Sequence, residues 1–186
     1  MRLLALFITL AAFCSSAQAA TKKLKVFILA GQSNMEGKGD GSKLTADEKA
    51  RLAKAGQHVR LAYNHQPVVP LNVTDAGAGN KKRFGIDLSF GPELFFGLKL
   101  AEAWPDDDIL LIKRSQGTTS LYGVRNPEWT AEKAAKMGEE KLAPLYADLI
   151  AYVREVLGDK DKASYEFCGA LWVQGEADGN VSKCGP

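Results

Sequence analysis

Short apolar runs alternate along this chain with longer stretches in which apolar residues recur every three or four positions. Leu24 to Ala30 (LKVFILA) is mostly apolar and stops at Gly31, which predicts a buried strand. Thr45 to Gly56 predicts a helix: Thr45 can cap it, Glu48 follows three residues on, and Gly56 ends it. His58 to Tyr63 (HVRLAY) alternates as a second strand, Asp108 to Lys113 (DILLIK) as a third, and Tyr165 to Val173 (YEFCGALWV) as a fourth. Pro92 to Trp104 has apolar residues at helical spacing, with proline in its first turn. Residues 129–158 are mainly helical, Leu145, Leu149, Val153 and Leu157 marking one core face, and Pro144 kinks or divides the segment. Residues 64–89, rich in Pro, Gly, Asn and Asp, predict a long loop of a kind that is often functional.

Strands alternating with helices imply an α/β fold around a parallel sheet. In such sheets, sites gather at the carboxyl ends of the strands. Three segments sit directly after predicted strands: Gly31 to Met35 (GQSNM), Ser115 to Leu121 (SQGTTSL) and Gln174 to Asp178 (QGEAD). A further glycine turn, Phe90 to Glu93 (FGPE), precedes a helix.

Composition narrows the classes. A length of 186 residues suggests one domain, and 46% apolar with 25% charged residues can build a core. A net charge of +2 with no long basic run argues against a nucleic-acid partner. Arg2, an apolar run from Leu3 to Phe13 and the small residues Ser15 to Ala20 follow the layout of a secretory signal. Residues 1–20 are therefore expected to be removed, leaving a domain over 21–186 that is secreted or periplasmic and has no membrane partner. Export permits a Cys168–Cys184 bridge, but Cys168 lies in an apolar run and reads rather as a small buried side chain.

The turn after the first strand could cradle a phosphate or present a nucleophile. A phosphate loop reads G-x-x-x-x-G-K-[ST]. Here five residues separate Gly31 from Gly37-Lys38, and the metal-binding hydroxyl is replaced by Gly39. The hydrolase elbow G-x-S-x-G is not matched either. A serine just beyond a buried strand nevertheless projects from the carboxyl edge, and its backbone N–H can face a developing oxyanion. Gly117 offers an unobstructed N–H on the next motif, and Gln174 an amide on the last. Each signal alone is weak, since Gly and Ser are ordinary turn residues.

Taken together, GQSNMEG at Gly31–Gly37, GPEL at Gly91–Leu94, KRSQGTTSL at Lys113–Leu121 and WVQGEAD at Trp172–Asp178 resemble the successive blocks of sialate O-acetylesterase-type carbohydrate esterases. These belong to the SGNH (GDSL-like) hydrolases. The resemblance covers about Val26 to Asp178. It implies a three-layer α/β/α sandwich with a parallel, flavodoxin-like sheet, and hydrolysis of acetyl esters on carbohydrates with no metal or organic cofactor. By motif position Ser33 is the nucleophile, and the N–H groups of Ser33 and Gly117 with the Gln174 amide form the oxyanion hole. Gln32 and Asn34 flank the nucleophile. Glu176 and Asp178 shape the site through hydrogen bonds to neighbouring loops. Gln116 stands where the family often has a second glycine.

A serine hydroxyl needs a base, usually a histidine oriented by a carboxylate. The family places that pair as D-x-x-H near the carboxyl end, and this sequence reaches Pro186, eight residues after Asp178, without it. The last strand and its covering helix are expected to be absent as well, so the chain reads as truncated and inactive or nearly so. A non-catalytic carbohydrate-binding protein is the alternative. His58 and His65 are the two histidines; His58 opens a strand, and His65, at a strand's carboxyl end, is a candidate substrate-lining residue. Arg125 could hydrogen-bond a substrate hydroxyl or carboxylate, although a solvated arginine is commoner. Trp129 is a candidate sugar-stacking platform, against simple packing at a helix entry. The oligomeric state is not legible.

Overall fold

A computed structural model describes residues 22–179. The expected signal segment, Cys184 and the last residues of the chain lie outside them. β1 (Leu24–Gly31) leads into one helical turn, α1 (Ser33–Glu36), then β2 (Gly39–Asp40), α2 (Ala46–Ala55) and β3 (Val59–Tyr63). There follow β4 (Val69–Pro70), β5 (Thr74–Asp75), α3 (Gly77–Phe84), β6 (Leu88–Phe90) and α4 (Pro92–Ala103). β7 (Ile109–Ser115), α5 (Ala131–Met137), α6 (Leu145–Leu157) and β8 (Tyr165–Val173) complete the order.

The main sheet runs β4-β3-β7-β1-β8. Its four long strands are parallel, and β4 pairs antiparallel with β3. Successive residues of β1 point to opposite faces. Phe27 and Leu29 pack with Leu94 and Leu98 of α4 and Leu52 of α2 on one side. Val26 and Ala30 pack with Leu149, Tyr152 and Val153 of α6 on the other. β7 is covered on both faces, which is why ILLI reads as an unbroken apolar run. The layers and the mostly parallel sheet are those expected of the α/β class. The strand order departs from flavodoxin's: numbered by chain position, the parallel strands lie 2-3-1-4, where flavodoxin has 2-1-3-4-5. Periodicity marks a strand but carries nothing about its neighbour. β8 pairs with β1 alone among the described residues, and its Phe167 and Trp172 are 53% and 46% exposed.

One expectation needs correcting. The 64–89 segment is not simply a loop: it holds β4, β5, α3 and the start of β6, and β2-β6-β5 form a small antiparallel sheet. Strands of two or three residues have no readable period, and α3 buries none of its residues, so it has no apolar face to detect. The 129–158 stretch is divided, as Pro144 leads one to expect: α5 stops at Gly138, which is left-handed at φ 74°, and Pro144 precedes the first residue of α6. Among the described residues no helix is long and apolar enough to cross a membrane.

The capping box at α2 is complete. Glu48 N–H donates to Thr45 Oγ1 at 3.2 Å, and Thr45 N–H donates to Glu48 Oε2 at 2.7 Å. Thr45→Ala is expected to lower stability by about 1 kcal/mol in urea unfolding. The Thr45 N–H, then its hydroxyl, holds the Glu48 carboxyl below its ordinary value. The stability from that bond is therefore complete above the ordinary value and lost as pH falls through the lowered one. Alanine keeps the N–H and loses only the hydroxyl, so the gap between Thr45→Ala and wild type should narrow only by the hydroxyl's share in acid.

Candidate active site

Parallel register sets three strand ends side by side: Gly31 of β1 lies opposite Ser115 of β7 and Val173 of β8. The ladder continues one step further, with Gln116 N–H donating to Gly31 O at 3.1 Å and Gln32 N–H to Val173 O at 3.0 Å. Gln32 is buried, and its carbonyl accepts the N–H groups of Met35 and Glu36, which closes the α1 turn. Met35 goes into the core while Ser33 and Asn34 stay exposed. The Ser33 hydroxyl thus stands on the carboxyl edge, at the start of a turn fixed from below.

Gly117 abuts it. A Cβ on Gly117 would lie 3.4 Å from Ser33 Cβ and 3.0 Å from Glu36 Oε2. Neither the Ser33 N–H nor the Gly117 N–H has an acceptor among the described residues. The loop that carries Gly117 is strained: Thr118 has φ 60°, a genuine outlier for a β-branched residue, worth about 1–3 kcal/mol.

Side chains of the third block tie the other two together. Asn34 Nδ2 donates to Glu176 Oε1. The Asp178 carboxylate accepts the N–H groups of Leu121 at 2.8 Å and Tyr122 at 2.9 Å. Gln174 Nε2 donates to Thr119 O at 2.6 Å, which engages one hydrogen of its amide. Gln174 Oε1 and Gln32 Oε1 are buried without a partner among the described residues.

The family model for the carbohydrate esterases described as sialic acid-specific acetylesterase matches residues 23–184. The chain belongs to that family. No protein of curated function matches it by sequence. Among solved structures, a protein from Arabidopsis thaliana is 19% identical, with 84% of this chain and 59% of that one covered, at a TM-score of 0.48. A carbohydrate acetylesterase from Xanthomonas citri is 18% identical, with 82% of this chain and 33% of that one covered, at a TM-score of 0.42. The chain therefore spans less than two thirds of the length of either.

The fourth block of this esterase-family chain is a buttress beneath the turn. Gly37, at φ 81°, comes so close to Gly91 that a Cβ on it would lie 2.0 Å from Gly91 Cα, so both positions need glycine. Glu93 Oε1 accepts the Gly91 N–H at 2.8 Å. Its other oxygen lies 2.5 Å from Lys113 Nζ, and Lys113 also donates to Glu36 O at 3.0 Å and sits 4.5 Å from the Tyr63 ring centre. Burial pushes the Lys113 ammonium below its usual range, and the charge of Glu93 opposes that shift. Lys113 and Glu93 stand in two of the quoted blocks, but their pairing is not legible in the sequence. The available signal was a lysine closing an otherwise apolar strand.

Three proposed substrate contacts fare differently. Arg125 is 2% exposed, with Nη2 on Gly31 O at 2.5 Å and Nε on Thr119 Oγ1 at 2.9 Å. It faces the protein interior, neither solvated nor turned to a substrate, because buried carbonyls at the strand ends need a donor. Burial lowers its pKa to about 10, which leaves it charged at neutral pH. His65 has both ring nitrogens on α6, Nε2 at 3.1 Å from Asp148 Oδ1 and Nδ1 at 3.1 Å from Glu155 Oε2. Its ring lies 4.3 Å from that of Tyr152, tilted by 46°. Trp129 is 37% exposed just ahead of α5, and no hydrogen bond or ring contact joins it to Ser33, Gly117 or Gln174. His58 lies at the amino end of β3, away from the Ser33 edge. Among the described residues no three His, Cys, Asp or Glu side chains are grouped to hold a metal ion.

Proposed function

We propose that this chain attacks O-acetyl esters of carbohydrates with Ser33 as the nucleophile. The N–H groups of Ser33 and Gly117, with the remaining amide hydrogen of Gln174, receive the oxyanion. The observation that carries this reading is the pair of acceptor-free N–H groups beside an exposed serine hydroxyl on the carboxyl edge of the sheet. Attack of Ser33 Oγ on the acetyl carbon gives a tetrahedral oxyanion. Its collapse expels the sugar oxygen, which takes up a proton as the hydroxyl, and leaves acetyl-Ser33. Water then attacks the acyl carbon and releases acetate with Ser33 restored. Each correctly aimed donor lowers the barrier by about 3 kcal/mol.

No histidine serves Ser33 in this arrangement, since His65 is engaged by α6 and His58 lies at the opposite end of the sheet. Proton removal falls to water or hydroxide, and turnover is slow. No cofactor takes part. With residues 1–20 acting as an export signal, the substrate is an acetylated glycan outside the cytoplasm.

Acetate release from O-acetylated monosaccharides and acetylated xylan tests the proposal, with Ser33→Ala as the control. Slow release that requires Ser33 is the expected result. Saturable sugar binding with no acetate, unchanged in Ser33→Ala, would establish the carbohydrate-binding reading instead.

A further inference from the structure

We infer that Arg125 is a positioning residue that aims the Gly117 N–H through the peptide plane joining Gln116 to Gly117. The inference rests on the nucleophile reading of Ser33. A trans peptide is planar, so its carbonyl and its N–H point in opposite directions, and the described chain has no cis peptide bonds. Whatever fixes Gln116 O therefore fixes the Gly117 N–H.

Gln116 O is gripped from two sides. Thr119 Oγ1 donates to it at 2.7 Å, and Arg125 Nη2 donates at 3.4 Å. The two grips are linked, because Arg125 Nε donates to Thr119 Oγ1 at 2.9 Å. With that hydroxyl oxygen accepting from the guanidinium, its single hydrogen is directed at Gln116 O. The same Nη2 holds Gly31 O at 2.5 Å, two residues before Ser33. One planar cation thus sets the strand end that presents the nucleophile and the peptide that presents its oxyanion donor. Lysine, with a point charge and no fork, could not hold both.

The cation has a second effect. A charge hydrogen-bonded to a peptide carbonyl polarises the whole amide and makes its N–H a stronger donor. Burial at 2% exposure keeps that influence unscreened. The grip is needed because Thr118, the residue after the donor, sits at φ 60°, which an untethered threonine would leave. Gln174 Nε2 on Thr119 O at 2.6 Å closes the loop from the opposite side.

The test follows phosphonylation of Ser33 by a fluorophosphonate, whose phosphoryl oxygen takes the oxyanion position, by intact mass against probe concentration. Thr119→Val removes the hydrogen aimed at Gln116 O with little change of shape, and is expected to lower the maximal labelling rate about tenfold, part of the loss from removing a whole donor. The half-saturating probe concentration should stay near wild type, while the melting temperature should fall somewhat, because the buried Arg125 Nε–H loses its acceptor. Thr119→Ser, which keeps the hydroxyl, should label at the wild-type rate, and Arg125→Lys should label more slowly. If Arg125→Lys does not fold, the Thr119 pair decides alone. Wild-type labelling by Thr119→Val would overturn the inference. A wild-type chain that takes no label at Ser33 would remove the nucleophile reading first and this inference with it.

Discussion

Exchanging Lys113 for methionine is expected to lower the unfolding free energy by about 3–5 kcal/mol, because it strands a buried carboxylate. The side chains of Lys113 and Glu93 are 0% and 3% exposed, so neither can turn to water when its partner is lost. Glu93 would keep the Gly91 N–H, but Glu36 O would lose its donor and Tyr63 its cation. Glu36 closes the α1 turn that begins at Ser33, so the damage reaches the site as well as the core. The double variant Lys113→Met/Glu93→Leu should recover much of the loss in urea unfolding, since removing both charges removes the desolvation of each. The alkaline limb carries a further signature. Burial holds the Lys113 pKa below its ordinary value of 10.5, so the native state binds fewer protons there than the unfolded chain. This group therefore favours the folded state most at high pH, and that advantage is lost as pH falls through the lowered folded value. Lys113→Met should remove this slope.

Added imidazole is expected to raise acetate release by the wild-type chain, toward about 10²-fold at high concentration, the low end of what a positioned general base supplies. The Ser33→Ala chain should show only the reaction of imidazole with the ester in solution. The serine and two N–H donors are in place, whereas the two histidines are tied to α6 or sit at the far end of the sheet. In such a site the nucleophile delivers only part of its contribution until a base is present, because the members of a catalytic set act as a unit. Without imidazole, Ser33→Ala should therefore cost far less than it does with it. A His65→Ala variant should respond to imidazole as wild type does.

Much of the fold was legible because its main strands are long and apolar enough to carry a period. β1, β3, β7 and β8 were readable from Leu24, His58, Asp108 and Tyr165 onward, within a residue of their true starts, and Thr45 with Glu48 announced α2. Strand order was not legible, since nothing in a strand's own pattern places β7 between β3 and β1. The small β2-β6-β5 sheet was hidden by strands too short to alternate. At the site, the motif blocks foretold which strand ends meet, and the geometry brings Ser33 against Gly117. Arg125 was misread because an arginine in a polar loop looks solvated, and only the tertiary fold puts two strand-end carbonyls around it. Lys113 was hidden for the opposite reason, as its partner Glu93 comes from a helix twenty residues earlier.

The most direct test is mass spectrometry of the chain after incubation with an activated acetyl ester, such as p-nitrophenyl acetate, at mildly alkaline pH. With neither histidine placed to speed deacylation, an acetyl group is expected to accumulate on Ser33 in the peptide between Lys25 and Lys38, and to be absent from Ser33→Ala. Acetate release with no acetyl on Ser33, or acetylation confined to surface lysines, would contradict it.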